Sequence, residues 1–209
     1  MSELRSELIA TARAMAGAGL NKGTSGNVSV RCGDGFYITP TVMPYAALTA
    51  DDIPLMASDG SWQGQRKPSS EWRFHRDLYA ARPTVGAVLH AHSPFAVSLA
   101  CLRREIPPFH YMIARFGGDT IRCADYAIFG SEMLSTAAMA ALQDRKGCLL
   151  ANHGLLVAGR DLSEAFALAV ELEELCEQYW RACQLGQPVL LSPQEMAAVL
   201  EKFAGYGQQ

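Results

Sequence analysis

Residues 147–159 read GCLLANHGLLVAG, an apolar run bounded by glycines and broken at its centre by Asn152-His153-Gly154. Two strand pieces around that tripeptide are expected. Upstream, VGAVLHAHS (85–93) reads as another strand. Between them lie a short helix over 94–102 and an alanine-rich helix over 131–144. Downstream, Ser163 to about Leu185 carries a Leu/Ala/Glu pattern of helical period, and a last helix runs from Pro193 to Phe203 before the tail GYGQQ. Toward the N-terminus, Leu4, Leu8, Ile9, Ala12 and Met15 recur at helical spacing over residues 2–18. NVSVRC and GFYITP flank a Gly33-Asp34-Gly35 turn, which is a hairpin signal. Residues 41–66 are irregular and polar, with room for short strands. A helix begins near Glu71, after Ser69 and Ser70, and stops near Arg82-Pro83. No repeat or linker interrupts this series, and the strands are too scattered for a regular βαβ succession. One α/β domain over 1–209 is expected.

Composition narrows the functional classes. A chain of 209 residues that is 49% hydrophobic and 19% charged can bury a sizeable core, which excludes a disordered chain or a coiled coil. The formal net charge of −3 argues against a nucleic-acid scaffold or a polybasic membrane binder. Glu3 and Glu7 interrupt the N-terminal stretch, and no segment reaches the roughly 18 apolar residues of a membrane span. A cytoplasmic protein without nucleic-acid or membrane partners is therefore expected. Cys32, Cys101, Cys123, Cys148, Cys176 and Cys183 form no CxxC. They read as reduced thiols used as small buried hydrophobes, not as zinc ligands.

His90 and His92 stand at i, i+2, so on a strand both imidazoles leave the same face. That geometry suits two ligands on one metal. His153 lies in the second apolar segment, and Gly154 beside it permits close backbone approach. Glu71 follows two serines at a helix start. Three imidazoles and one carboxylate make a catalytic-type metal set. Each residue also has a plainer reading: a lone strand histidine is usually a hydrogen-bonded core residue, and an acid in a first helical turn is favoured by the helix dipole. His75 and His110 lack comparable framing. GTSGN (23–27), TPT (39–41) and PSS (68–70) supply hydroxyls and backbone N–H groups that can cradle a phosphate, although turns and caps share that composition.

Taken in order, GTSGNVSVR (23–31), ITPTVMPY (38–45), KPSSEW (67–72), VLHAHSPFA (88–96), HYMIARFGG (110–118), NHGLL (152–156) and FAGYG (203–207) resemble the class II aldolase/adducin-head family across nearly the whole chain. The resemblance implies a three-layer α/β/α domain around a mostly antiparallel sheet, and a homotetramer with active sites between subunits. It implies one divalent metal per subunit on His90, His92 and His153, normally zinc, with manganese, cobalt or iron as alternatives. Glu71 would be a metal ligand and catalytic base in turn. Gly26, Asn27, Thr41, Ser69 and Ser70 would bind phosphate. Tyr111 of a neighbouring subunit would exchange the proton at the aldehyde oxygen, and Phe129, Phe203 and Tyr206 would line the aldehyde pocket. The family's TPTG loop reads Thr39-Pro40-Thr41-Val42 here, with valine where glycine allows unusual φ.

The implied reaction is reversible cleavage of a ketose 1-phosphate to dihydroxyacetone phosphate and an aldehyde. Fuculose 1-phosphate, 5-deoxyribulose 1-phosphate and 5-methylthioribulose 1-phosphate would all fit the same groups, the last two belonging to by-product salvage, including methionine salvage. A divalent metal would stabilise the enediolate, so no Schiff-base lysine is required. Rivals on the same fold are a ribulose-phosphate 4-epimerase, which usually carries Asp at the position of Glu71, and a methylthioribulose-phosphate dehydratase. A non-catalytic adducin-type module usually lacks the metal histidines.

Overall fold

The computed structural model describes residues 2–204. Strands β1 (Asn27–Cys32) and β2 (Gly35–Ile38) form the expected hairpin, with Cys32 paired to Gly35 across a two-residue loop. Gly33 takes φ +57°, the left-handed backbone that such a loop favours at its first position. β3 (Leu55–Met56), β4 (Trp62–Gln63), β5 (Ala87–Ala91), β6 (Cys123–Ala124), β7 (Gly147–Leu150) and β8 (Gly154–Gly159) complete an eight-stranded sheet in the order β4-β3-β2-β1-β5-β8-β7-β6. Every neighbouring pair is antiparallel except β6–β7, so the sheet is mostly antiparallel as expected.

The helices are α1 (Ser2–Gly17), α2 (Trp72–Ala81), α3 (Pro94–Ala100), α4 (Glu132–Ala141), α5 (Leu162–Leu185) and α6 (Pro193–Ala204). Strand alternation sorts the core into two layers. Ala87, Leu89 and Ala91 of β5, with Leu155 and Val157 of β8, pack with Leu8, Leu168 and Leu172 from α1 and α5. Val88, Leu156 and Ala158 face the other way, onto Phe74 and Leu78 of α2 and Leu134 of α4. Both faces of β5 and β8 are thus covered, which is why these strands read as unbroken apolar runs. The architecture is α/β/α in three layers.

Two local devices fix the strand ends. The Glu173 carboxylate on α5 accepts from the Ser93 hydroxyl at 2.6 Å and from the Phe95 and Ala96 N–H groups at 2.8 and 2.9 Å. It caps α3 from a neighbouring helix and anchors the chain directly after His92. Residues Tyr111–Phe116 form a 3₁₀ helix that the sequence pattern did not distinguish. The His110 ring accepts from the Met112 N–H at its start, and Gly117 at φ +88° ends it.

The cysteine expectation needs correction. Cys148 and Cys176 are buried, but Cys32 and Cys123 are only partly so, and Cys101 and Cys183 are exposed. The latter two lie at the end of α3 and near the end of α5, where a helix turns its outer side to solvent. Among the described residues, no helix is long and apolar enough to cross a membrane.

Candidate metal centre

The β1–β5 register sets Asn27 directly opposite His90. His90 shares the α2-side face with Val88, and its Nδ1–H donates to the Leu155 carbonyl at 2.8 Å. That bond makes Nδ1 the donor to the backbone and leaves Nε2 pointing away from the strand. His92 leaves the chain just past the end of β5, and its Nε2 still comes to 2.9 Å from that of His90. His153 sits in the turn between β7 and β8, after Asn152 at φ +54°, so the segment is two strands around a turn as its sequence implied. The three rings stand 4.7–4.8 Å apart at 70–76° to one another.

Glu71 occupies the N-cap position of α2 but makes no side-chain capping bond. Its carboxylate turns into the protein, with Oε2 at 3.3 Å from His90 Nε2 and Oε1 at 3.2 Å from His153 Nε2. The Asn27 amide N–H donates to Oε2 at 3.0 Å. One ligand atom from each of Glu71, His90, His92 and His153 lies within 4.8 Å of the others. Oε1 is buried without a hydrogen-bond partner. Imidazole nitrogens converging on an orphaned carboxylate oxygen are what a divalent cation requires, so the residues fit one.

Burial pushes the Glu71 pKa up, but the nearby imidazoles of His90 and His153 outweigh it and hold the carboxyl well below its usual range. Burial, helped by His90 and His153, lowers His92 to about 4. Both groups are therefore in the deprotonated form that binds metal.

Glu71, His92 and His153 open into a cavity of about 320 Å³ whose walls also include Gly26, Asn27, Thr41, Ser69, Ser70 and Phe129. Every position expected to contact phosphate thus lines the cavity that holds the metal group. His90 lies behind this wall, fully buried. Tyr111 is half exposed and does not line the cavity of its own chain. Phe203 packs against the α1/α5 core layer instead. Tyr206 lies outside the described residues. Tyr126, Ala127 and Asn152 are wall residues that sequence reading missed. Arg103 holds two of them, donating to Asn152 Oδ1 at 2.6 Å and lying 5.4 Å over the Tyr126 ring. The only signal was Asn152 itself, a residue suited to the left-handed turn before His153.

Val42 adopts φ +56° despite its branched Cβ, and the residue is 76% exposed at the cavity. Non-glycine residues held there are strained by ~1–3 kcal/mol. Val42→Gly should therefore stabilise the fold by a net ~1 kcal/mol after glycine's larger unfolded-state entropy. That corresponds to a rise of about 2–4 °C in the thermal midpoint. A lower midpoint in calorimetry would mean that the isopropyl group packs to advantage.

Comparison with known proteins agrees with this geometry. The Class II Aldolase and Adducin N-terminal domain family model matches residues 6–180. A 5-methylthioribulose-1-phosphate/5-deoxyribulose-1-phosphate aldolase of Rhodospirillum rubrum is 56% identical over 204 residues, covering 98% of this chain and 92% of that protein. The L-fuculose phosphate aldolase of Escherichia coli K12 is 44% identical over 207 residues, covering 99% and 96%. A solved L-fuculose 1-phosphate aldolase superposes with a TM-score of 0.94 at 38% identity, over 98% of this chain and 97% of that one. The family match, with relatives aligned along almost the entire chain, places this protein in the class II aldolase/adducin N-terminal domain family, as an aldolase of the aldehyde-lyase type.

Proposed function

We propose that this chain, as a single domain over 1–209, reversibly cleaves a ketose 1-phosphate to dihydroxyacetone phosphate and an aldehyde. In this reading 5-deoxyribulose 1-phosphate and 5-methylthioribulose 1-phosphate are preferred over fuculose 1-phosphate. The observation that carries the reaction is one cavity joining a Glu/His/His/His group to hydroxyl- and glycine-bearing loops, with no lysine among its described lining residues. A Schiff base has no nucleophile there. The phosphate is held by neutral donors: the hydroxyls of Thr41, Ser69 and Ser70, the Gly26 backbone, and the Asn27 amide hydrogen not used on Glu71.

His90, His92, His153 and Glu71 hold one divalent ion, zinc before manganese, cobalt or iron. When bound, it supplies Lewis-acid polarisation of the ketone. Glu71 carries the proton exchanged at the carbon beside the ketone. Tyr111 takes the C4 hydroxyl proton during cleavage and returns it in synthesis. Tyr111 and Phe203 lie on one region of the chain, since α6 packs against the 111–116 helix. One copy can then present this region, with Tyr111 on it, to a neighbour's cavity in a homotetramer. Phe129 belongs to the cavity of its own chain.

The substrate preference rests on the wall around Tyr126, Ala127 and Phe129, and on the higher identity to the Rhodospirillum rubrum relative. Acetaldehyde and methylthioacetaldehyde carry no hydroxyl for such a wall to desolvate, whereas lactaldehyde does. Apolar pockets reject an added hydroxyl by only ~10²-fold, so the preference is graded. A cytoplasmic place in by-product salvage goes with this substrate class.

The test is cleavage of the three ketose phosphates by metal-loaded enzyme, detecting dihydroxyacetone phosphate, with a chelator control. Chelator-sensitive release with higher kcat/KM for the two 5-substituted ribulose phosphates is expected. Fuculose 1-phosphate as the best substrate would overturn the preference. No release from any of them would refute the cleavage reaction and point to dehydration or epimerisation.

A further inference from the structure

We infer that His75 is a positioning residue that orients the Glu71 carboxylate through the Asn27 amide. The inference rests on the reading of Glu71 as a metal ligand and proton carrier. Five polar side chains form a continuous line between the sheet and α2. The Tyr79 hydroxyl lies 2.8 Å from Ser29 Oγ, which lies 2.7 Å from His75 Nδ1. His75 Nε2 lies 2.6 Å from Asn27 Oδ1, and Asn27 Nδ2 lies 3.0 Å from Glu71 Oε2. All five are buried, His75 and Ser29 completely. Polar groups buried there need partners, and in this line each finds them in its neighbours.

The donor sense of the line follows from its far end. An ionised carboxylate only accepts, so Asn27 must present its NH₂ to Glu71 and its carbonyl to His75. His75 Nε2 must then carry the proton, which leaves Nδ1 as an acceptor. Ser29 donates its single hydroxyl hydrogen to Nδ1, so Tyr79 must donate to Ser29. Each donor in the line therefore points toward Glu71. Burial also lowers the His75 pKa to about 3, which keeps the ring neutral with one donor and one acceptor.

The consequence concerns Asn27. Without the His75 N–H, nothing in this line stops the amide from turning its oxygen toward Glu71 Oε2, where two acceptors would repel. The carboxylate would swing, and Oε1 would lose its place beside His153. Groups behind metal ligands typically change metal affinity or activity by ~10–100-fold when removed.

The test uses the whole 209-residue chain as wild type, H75L, H75Q, S29A, N27A and H75L/N27A. Zn²⁺ affinity is measured by chelator competition, the visible spectrum after Co²⁺ loading, and kcat on the best ketose phosphate. H75L is expected to weaken Zn²⁺ binding and lower kcat by ~10-fold each and to change the Co²⁺ spectrum. H75Q, whose amide nitrogen can stand where Nε2 stands, is expected to recover most of both. Adding N27A to H75L should cost less than N27A alone, because the two act in series. S29A disturbs only the far side of the ring and should show a smaller loss in the same direction, which keeps the test open if H75L fails to fold. Unchanged Zn²⁺ affinity and spectrum in folded H75L or S29A would overturn the inference, as would full additivity of H75L and N27A. If wild type binds Zn²⁺ but cleaves no ketose phosphate, the reaction assignment fails while the Zn²⁺ and Co²⁺ readouts still judge His75.

Discussion

Glu71→Gln is expected to reduce cleavage by ~10²–10⁴-fold while the protein still folds. The carboxylate has no structural duty that glutamine cannot take over. It makes no capping bond to α2, and its role toward Asn27 is only to accept, which an amide oxygen does equally well. What glutamine cannot do is carry a proton to and from carbon or contribute a negative charge among three imidazoles. Burial by itself opposes ionisation of this group, and the protein holds it ionised with His90 and His153. An anion kept in place against its desolvation cost, at a helix start where an ordinary N-cap would bind backbone, points to chemistry and not to folding. Circular dichroism and a cooperative thermal transition should match wild type while turnover collapses. Turnover within about threefold of wild type would remove Glu71 from the proton-transfer role.

The sequence carried the elements that leave a local signature. β1 and β2 are legible from their hairpin signal, β5, β7 and β8 from short apolar runs bounded by glycine or turn residues, and the helices from three-to-four spacing and their end signals. β3, β4 and β6 hold two residues each, too few for any period to show. They form because a neighbouring strand offers unpaired backbone, which is tertiary information. The ligand group was legible for a related reason. His90 and His92 stand close in sequence, and Gly154 beside His153 marks a close backbone approach.

Asn27 is a different case, because its position opposite His90 depends on strand register. Its resemblance-based assignment named a phosphate contact, whereas one amide hydrogen is already committed to Glu71. His75 lacks framing in the sequence, and the structure places it beside Phe74 and Leu78 on the buried side of α2. Its partners Asn27 and Ser29 lie 48 and 46 residues away. Tyr111 and Phe203 show a third limit, since their own chain does not bring them to its cavity.

Gly154→Ala should be among the most damaging single-methyl additions in the chain, costing about 3 kcal/mol or more. Gly154 opens β8, and it does not need a left-handed backbone. Its requirement is steric. A Cβ built there would collide with the carbonyl oxygen of Ala91 and would lie 3.2 Å from the His92 ring. Backbone offers no flexible end to move aside, so the turn holding His153 and the end of β5 must separate. Ala91 stands between His90 and His92, so the separation falls across the metal group itself. A thermal midpoint lower by roughly 6–12 °C is expected for a chain of this size, together with Zn²⁺ affinity weakened by at least ~10-fold. Gly17→Ala is the matching control. Gly17 ends α1 in open space, with nothing beyond its chain neighbours and its own helix backbone described within 4 Å of where a Cβ would sit, so alanine there should be neutral or stabilising by up to ~1 kcal/mol. If Gly154→Ala melts within about 2 °C of wild type and binds Zn²⁺ equally well, β5 and the His153 turn can part without disturbing the ligands. The close approach at Gly154 would then not be what holds the three imidazoles together.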